Sequence, residues 1–120
     1  MADIRESLDA LMKIRGSIGA AIVDYETGMT LGTVGGGGFD MEVAAAGKTG
    51  VVRSTRDSIQ NMNTEESTNE ILIQMDSLYH LIKMFGTGDT FTYVILDIDE
   101  STLALARRKL QQVDENLVIE

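Results

Sequence analysis

Residues 69–98 read NEILIQMDSLYHLIKMFGTGDTFTYVILDI, and this stretch decides the fold. It contains three runs of largely alternating residues, separated by short segments at 76–77 and 86–89 that carry turn-forming residues. Such alternation between turn signals is typical of β-strands. Because connections this short join antiparallel neighbours, the stretch predicts an antiparallel three-stranded unit. The predicted strands cover residues 69–76, 78–85 and 90–98.

The first third of the chain predicts a short helix followed by a β-hairpin. Asp3 and Glu6 have the spacing of a capping box, which favours a helix beginning there. Two alternating runs follow, and Gly28 between them can supply the positive φ that a tight hairpin turn needs. The predicted elements are a helix at 3–14 and strands at 18–25 and 29–34.

Two further helices are predicted, each after a candidate capping aspartate. Residues 35–38 are four glycines, which we interpret as a flexible connector, and Asp40 then favours a long helix over 41–62. Asp99 favours a last helix over 100–113. The predicted buried stripe of that helix is Leu103, Ala106, Leu110 and Val113.

The order of elements is therefore α-β-β-α-β-β-β-α, which predicts an α+β sandwich built on a five-stranded antiparallel sheet. The 120 residues fit a single domain, and residues 114–120 are expected to form a tail that can be disordered. The strands are mostly apolar on both faces. This predicts a sheet covered on both sides, or on one side and at a subunit interface.

Composition and charge limit the classes of function. The net charge of −9 repels a phosphate backbone and an anionic membrane surface, so neither nucleic acid nor membrane is an expected partner. The chain has no cysteine, which excludes disulfides and thiolate metal sites and agrees with a cytoplasmic location. We see no signal peptide, because acidic residues replace the apolar segment at the N-terminus.

Gly47-Lys48-Thr49 and His80 are the first candidates for chemistry, and neither is supported. A phosphate-binding loop needs a glycine five positions before Gly47, and that position is Glu42 within a helical pattern. A second anion site, at the helix start after the glycine run, is only a generic possibility. His80 is the single histidine, and a structural role in its strand is expected.

The remaining polar candidates also have simpler interpretations. Asp97, Asp99 and Glu100 lack the glycine and closing glutamate of a calcium loop, so a turn with a helix cap is expected. Arg53 and Arg56 are the only candidates for an arginine finger, and solvated arginines on a helix are the alternative. The chain is therefore expected to have no catalytic residues, no metal and no cofactor, and not to be an enzyme.

Two features of the sequence predict self-association. Gly47 and Gly50 lie inside the predicted long helix, where each costs about 1 kcal/mol relative to alanine. Close approach of another backbone would explain why they are present. The predicted strand at 69–76 would also be an exposed apolar edge in a monomer, which proteins normally cover.

Four stretches form a recognisable set: GAAIVDYETGM at 19–29, YHLI at 79–82, FTYVILD at 91–97 and TLALARRKL at 102–110. Together with the order of elements, they resemble the Roadblock family of dynein light chains and its bacterial single-domain relatives, which regulate Ras-like GTPases. The resemblance covers nearly the whole chain. These stretches are mainly structural signatures, so they identify the fold and family but carry little information about the individual partner.

The resemblance implies an arrangement that the residues alone leave open. The long helix would lie on one face of the sheet and the two terminal helices on the other. Two copies would pair through the long helix and the third strand, joining their sheets edge to edge. Members of the family bind small GTPases, and bacterial members can stimulate GTP hydrolysis by reshaping the GTPase site rather than by donating a catalytic residue.

The expected function is a homodimeric regulator or adaptor in signalling that binds a small Ras-like GTPase. A structural scaffold subunit of a larger complex and a small-molecule sensor are the alternatives. The expected dimer interface comprises Ala44, Gly47, Lys48, Val51, Val52, Thr55 and Ile59 of the long helix, with Ile71, Ile73 and Met75 of the third strand.

Overall fold

The computed structural model describes residues 1–86 and 88–119 and contains all eight predicted elements in the predicted order. The α+β fold class is confirmed, and each strand lies close to its predicted bounds. The elements are α1 (Ile4–Met12), β1 (Ser17–Asp24), β2 (Thr30–Gly35), α2 (Met41–Gln60), β3 (Glu70–Gln74), β4 (Leu78–Phe85), β5 (Thr90–Asp97) and α3 (Leu103–Asn116).

The five strands form one antiparallel sheet in the order β2-β1-β5-β4-β3. Short turns join β1 to β2, β3 to β4 and β4 to β5, and each of these pairs is adjacent in the sheet. α2 carries the chain from one edge to the other, after which β5 returns to pair with β1. β2 and β3 are consequently the two edges, and the buried strands β1 and β5 form the centre.

Helices cover both faces of this sheet, as the resemblance implies. α1 and α3 pack on one face, where Ile22 and Val94 belong to the first hydrophobic core. α2 packs on the other face over a second core that includes Phe91 and Tyr93. Successive residues of a strand point to opposite faces, so β5 contributes to both cores. This double burial explains why its sequence is apolar throughout.

The caps predicted for the first two helices are present. The Asp3 carboxylate accepts a hydrogen bond from the Glu6 amide at 2.8 Å, and the Glu6 carboxylate accepts one from the Asp3 amide at 3.3 Å. These two bonds complete a capping box at the start of α1. The Asp40 carboxylate likewise accepts from the backbone amides at the second and third positions of α2. Both helices therefore begin where their caps predict.

The prediction for α3 is wrong at both ends. α3 begins at Leu103 rather than at residue 100, and Thr102 rather than Asp99 holds the N-cap position, without a side-chain bond. The Asp97 carboxylate instead accepts from the amides of Asp99 and Glu100 and holds them in a turn. At the other end α3 continues to Asn116.

Part of the expected tail is therefore helical, and the residue after α3 is also paired. Leu117 forms a parallel bridge with Ala2, close to the start of α1. The Ala2 amide donates to the Asn116 carbonyl at 2.6 Å, and the Val118 amide donates to the Ala2 carbonyl at 2.8 Å. Residue 120 lies outside the described residues. The N-terminal residues and the end of α3 thus hold each other at the surface of the first core.

The glycine run between β2 and α2 forms a turn of defined conformation rather than the predicted flexible connector. Gly35, Gly36 and Gly37 all have positive φ, and Gly36 is buried. A Cβ at Gly36 would lie 2.7 Å from the Phe39 carbonyl oxygen and 2.8 Å from the Met41 side chain. Other residue types would be strained here, which explains the glycines and fixes the start of α2 against the sheet.

Candidate partner-binding surface

The face of the sheet that carries α2 is only partly covered. α2 makes its main packing contacts with β1 and β2, and Ile82 and His80 of β4 are still buried on this face, so it is β3 that extends beyond the helix on one side. On this face Ile71, Ile73 and Met84 are only partly buried, and Met75 is 51% exposed. We call the α2-side surface of β3, together with the partly buried Met84 at the end of β4, the open face. It adjoins the unpaired edge of β3, and apolar surface beside a free edge is normally covered in solution.

The outward side of α2 carries a set of exposed residues that are small or apolar, and the exposed Asp57 lies beside them, two turns after Gly50. We call this set, which consists of Val43, Gly47, Gly50, Ser54 and Ser58, the α2 stripe. A Cβ added at Gly47 or Gly50 would meet nothing within 4 Å, so no contact among the described residues requires glycine there. Because glycine weakens a helix, the two positions fit a surface against which a second backbone packs.

The predicted interface residues of α2 lie along the flank of the helix that faces the open side. Ala44, Val51, Thr55 and Ile59 are partly buried there, and Gly47 is exposed beside them. Lys48 shows that this flank reaches the sheet at β5, because its Nζ lies 5.2 Å from the ring centre of Tyr93. Ala44 and Val51 of this flank and Ile71 of β3 pack against the same second core, and Ile73 is partly buried on the same face of β3.

Val52 is the exception in the predicted set. Its side chain is 0% exposed and belongs to the core between α2 and the sheet. It is therefore not available to a partner, and Val51 is the valine on the accessible flank. The sequence could not separate the two, because adjacent residues lie only 100° apart around a helix and the angle at which α2 sits on the sheet is a tertiary property.

A polar cluster lies at the boundary between α2 and the open face. His80 on β4 is 8% exposed, and its Nδ1 lies 2.6 Å from the Tyr93 hydroxyl oxygen. Burial lowers the pKa of His80, and the nearby positive charge of Lys48 lowers it further. Burial also lowers the pKa of Lys48 and raises the pKa of the Tyr93 hydroxyl. His80 thus has a buried structural bond, but no local pattern in the sequence indicates its pairing with Tyr93.

The two candidate arginine fingers lie on the opposite flank of α2 and contact Tyr25. The guanidinium of Arg56 is 4.4 Å from the ring centre of Tyr25, and that of Arg53 is 5.9 Å away. Arg56 also donates a hydrogen bond to the Gly88 carbonyl at 2.9 Å. Its guanidinium therefore joins α2 to the β4–β5 loop, which favours a structural role over a catalytic one.

Comparisons with solved structures identify this arrangement. MglB from Myxococcus xanthus superposes with a TM-score of 0.82 at 18% identity, over 93% of this chain and 89% of that one. A Roadblock/LC7 domain from Streptomyces avermitilis gives a TM-score of 0.79 at 14% identity, over 95% and 93%. The gliding protein MglB from Thermus thermophilus gives 0.77 at 14% identity, over 93% and 83%.

The chain has the Roadblock fold. Identities this low establish the fold and nothing finer. No family model and no curated protein matches the sequence. This fold nevertheless agrees with the layout of the surface, because the single helix α2 packs mainly on β1 and β2 and leaves the edge strand β3 only partly covered.

Within the described part of this Roadblock domain, no group of three or more histidine, cysteine or acidic side chains could hold a metal ion. None of the helices in residues 1–86 and 88–119 is long and apolar enough to cross a membrane.

The sequence analysis missed one buried carboxylate, Asp114. It lies on α3 toward the first core, and both of its carboxylate oxygens are buried without a hydrogen bond. Burial raises the pKa of Asp114 to about 7, although Lys83 and Thr92 on the sheet oppose that rise. A signal was present: Leu110, Asp114 and Leu117 are spaced as one helical face, so the aspartate falls within an apolar stripe.

Proposed function

We propose that the protein is a homodimeric regulator or adaptor that binds a small Ras-like GTPase in the cytoplasm and modulates its GTP hydrolysis. The fold shared with MglB and Roadblock/LC7 proteins supports the class, and the resemblance of the sequence to the Roadblock family supplies the GTPase. The observation that carries the proposal is the uncovered apolar surface beside α2.

Two surfaces of the same chain support the proposed self-association. The open face lacks a helix, and the α2 stripe lacks the contact that would justify Gly47 and Gly50. In a two-fold pair, α2 of each copy would lie against the other α2 and beside the other open face. β3 of each copy would then pair with its counterpart, which removes the exposed edge.

The proposed dimer interface keeps the predicted residues that are accessible at this surface. Lys48 differs from the rest, because it brings the only charge and its aliphatic stem can pack while its ammonium contacts Tyr93. The proposed set is Ala44, Gly47, Lys48, Val51, Thr55 and Ile59 on α2, with Ile71, Ile73 and Met75 on or next to β3.

This chain would modulate the GTPase without contributing a catalytic residue to GTP hydrolysis. Arg56 is bonded to Gly88, and Arg53 lies near the same tyrosine, so neither extends freely from the surface. The domain would act by favouring one conformation of the GTPase, which needs only a difference in affinity between its two nucleotide states. A net charge of −9 favours a partner surface that is basic.

The test is a pull-down of the host's small GTPases, each loaded with GDP or with a non-hydrolysable GTP analogue. We expect one GTPase to be retained in a nucleotide-dependent manner, and its hydrolysis rate to change when this protein is added. Retention in neither state would contradict the proposal and would favour the scaffold alternative. Retention should also weaken as salt is added, because charge attraction between the surfaces is screened.

A further inference from the structure

A groove of about 400 Å³ lies between α1 and α3, on the face of the sheet opposite α2. At one end of this groove the start of α1 lies beside the end of α3, where Ala2 pairs with Leu117. At the other end Lys13, directly after α1, and Lys109 of α3 both line the groove. The chain therefore runs in opposite directions along the two walls.

The wall formed by α1 is a row of residues at helical spacing. It consists of Glu6, Ser7, Ala10 and Lys13, which are spaced i, i+1, i+4 and i+7. Residues at this spacing lie along one side of a helix, so the row is about 10 Å long. Ser7 is buried and Ala10 is partly buried, whereas the charged residues at the two ends of the row are exposed.

The wall formed by α3 has a matching row. Lys109, Gln112, Val113 and Asn116 are spaced i, i+3, i+4 and i+7. Val113 is buried and forms an apolar floor with Ala10, and the three polar residues of the row are exposed. The groove thus has a small, apolar floor and polar borders along two helices. The ridge of side chains on a third helix is the shape that packs into such a groove.

The groove has a positive end, although the chain as a whole has a net charge of −9. Lys13 and Lys109 are exposed, and no ion pair among the described residues includes either of them. Two like charges on one groove repel each other, so a carboxylate bound beside them would be favourable. Glu6 is the acid of the lining, and its carboxylate accepts from the Asp3 amide at the other end.

The distribution of charge over the molecule also favours an acidic partner on this side. Residues 1–16 and 102–119 carry six of the ten basic residues and only five of the 19 acidic residues. This side therefore lacks the strong negative charge of the rest of the molecule, which would repel an acidic partner. All six basic side chains are exposed, and they are Arg5, Lys13, Arg15, Arg107, Arg108 and Lys109.

We propose that the groove between α1 and α3 is a docking site for an acidic amphipathic helix of a partner protein. The helix would pack a ridge of apolar side chains over Ala10 and Val113 and place carboxylates beside Lys13 and Lys109. Because the groove lies on the face opposite α2, this partner would not compete for the proposed dimer surface. The inference goes beyond the proposed function, since it gives an adaptor a second and separate contact.

The test uses the full chain and two synthetic helical peptides of about 16 residues, roughly four turns. Both peptides carry the same ridge of alanine and leucine, and they differ only in having glutamate or lysine beside that ridge. Fluorescence anisotropy measures their affinities, and NMR chemical shifts locate the bound peptide. We expect the glutamate peptide to bind at least about tenfold more tightly than the lysine peptide, with shifts centred on Ala10 and Val113.

Variants of the chain test which side chains bind the peptide. The Lys13→Gln and Lys109→Gln double variant should weaken binding of the glutamate peptide by roughly fivefold or more, and should make binding less sensitive to salt. Arg108→Gln is the matched control, because Arg108 is an exposed cation next to Lys109 that does not line the groove. It should leave the affinity unchanged. Thermal unfolding of each variant reports on folding.

Four results would overturn the inference and leave the proposed function untouched. These are no binding of the glutamate peptide, equal affinity for the two peptides, an unchanged affinity in the double lysine variant, and shifts that map to α2. Shifts at Val113 caused by dodecanoate but not by the peptide would also overturn it, in favour of a small carboxylate ligand. Shifts that depend on protein concentration alone would assign the groove to a second copy. Conversely, peptide binding without retention of any GTPase would contradict only the proposed function.

Discussion

At the scale of single residues, Asp114 is an acidic side chain whose carboxylate oxygens are buried and whose pKa is raised. Its carboxylate lies against the first core without a hydrogen bond, and burial is the main cause of its raised pKa, about 7. Lys83 is close enough to oppose that shift, and Thr92 is also near but donates to the Lys83 carbonyl at 3.4 Å. The folded chain therefore holds a proton at Asp114 more tightly than the unfolded chain does.

The first prediction concerns stability against pH. The folded pKa of Asp114 lies above the unfolded value of about 3.9, so the wild type should lose stability as pH rises from about 4 to about 7. Asp114→Asn removes that loss. Its gain over the wild type should be larger at pH 8 than at pH 4.5, by on the order of 1 kcal/mol, since Asp114 as a whole residue is only partly buried and nearby water reduces the effect.

Urea unfolding at the two pH values measures this difference. The matched control is Asp9→Asn on α1, which makes the same substitution at an exposed aspartate. A gain for Asp114→Asn that is independent of pH would show that the carboxyl titrates normally.

For His80 and Asp114, the sequence alone does not predict which side chains surround them. The structural role expected for His80 agrees with its bond to Tyr93, but the residues that surround a side chain come from several elements. Strand alternation places His80 on a face, and no local pattern specifies that Tyr93, which pairs with Ile82, lies diagonally across from His80 on β5. Asp114 was detectable only as an acid within an apolar helical spacing.

At the scale of elements, α2 contains two glycines that lower its intrinsic stability as a helix. Gly47 and Gly50 are exposed, and a Cβ at either would contact nothing among the described residues, so the folded monomer gains nothing from glycine there. The second prediction is that Gly47→Leu stabilises the monomer by up to about 1 kcal/mol through helix propensity, and weakens the dimer by at least about tenfold through steric exclusion.

The opposite signs of these two effects make Gly47→Leu informative. Thermal unfolding under monomeric conditions measures the first effect, and sedimentation measures the second. Ala104→Leu places the same bulk on the exposed side of α3 and should leave the association unchanged. If Gly47→Leu formed dimers as readily as the wild type, the close helix contact would be wrong.

The third prediction concerns α1, which the capping box starts. Asp3→Ala removes the acceptor for the Glu6 amide and should lower the free energy of unfolding by about 1 kcal/mol. Asp9→Ala is the control, because Asp9 is exposed and makes only a 3.7 Å contact with Arg5. Equal losses for the two variants, measured by urea unfolding, would contradict the role of the cap.

Elements were predictable where a local signal coincided with the tertiary environment. The caps at Asp3 and Asp40 were correct because the first turn of a helix is decided by neighbouring residues. The start of α3 was wrong because the Asp97 carboxylate accepts from the amides of Asp99 and Glu100 and holds these two residues in a turn. The glycine run was misinterpreted because composition does not reveal that Gly36 is packed against Met41.

At the scale of the whole molecule, the chain is a sandwich with one side left incomplete. Two helices cover one face of the sheet and a single helix partly covers the other, next to the free edge of β3. Local sequence patterns predicted the elements and their order. They did not determine which face α2 covers or that β5 lies beside β1, because strand order depends on contacts between distant parts of the chain.

The central claim is that the open face and the α2 stripe cover each other in a pair of identical chains. Sedimentation equilibrium of the wild type across the micromolar range tests it most directly, because it reports mass without a partner protein. The account predicts a species of twice the 13.1 kDa chain mass, converted to monomer by Gly47→Leu. A single species of 13.1 kDa at every concentration would contradict it.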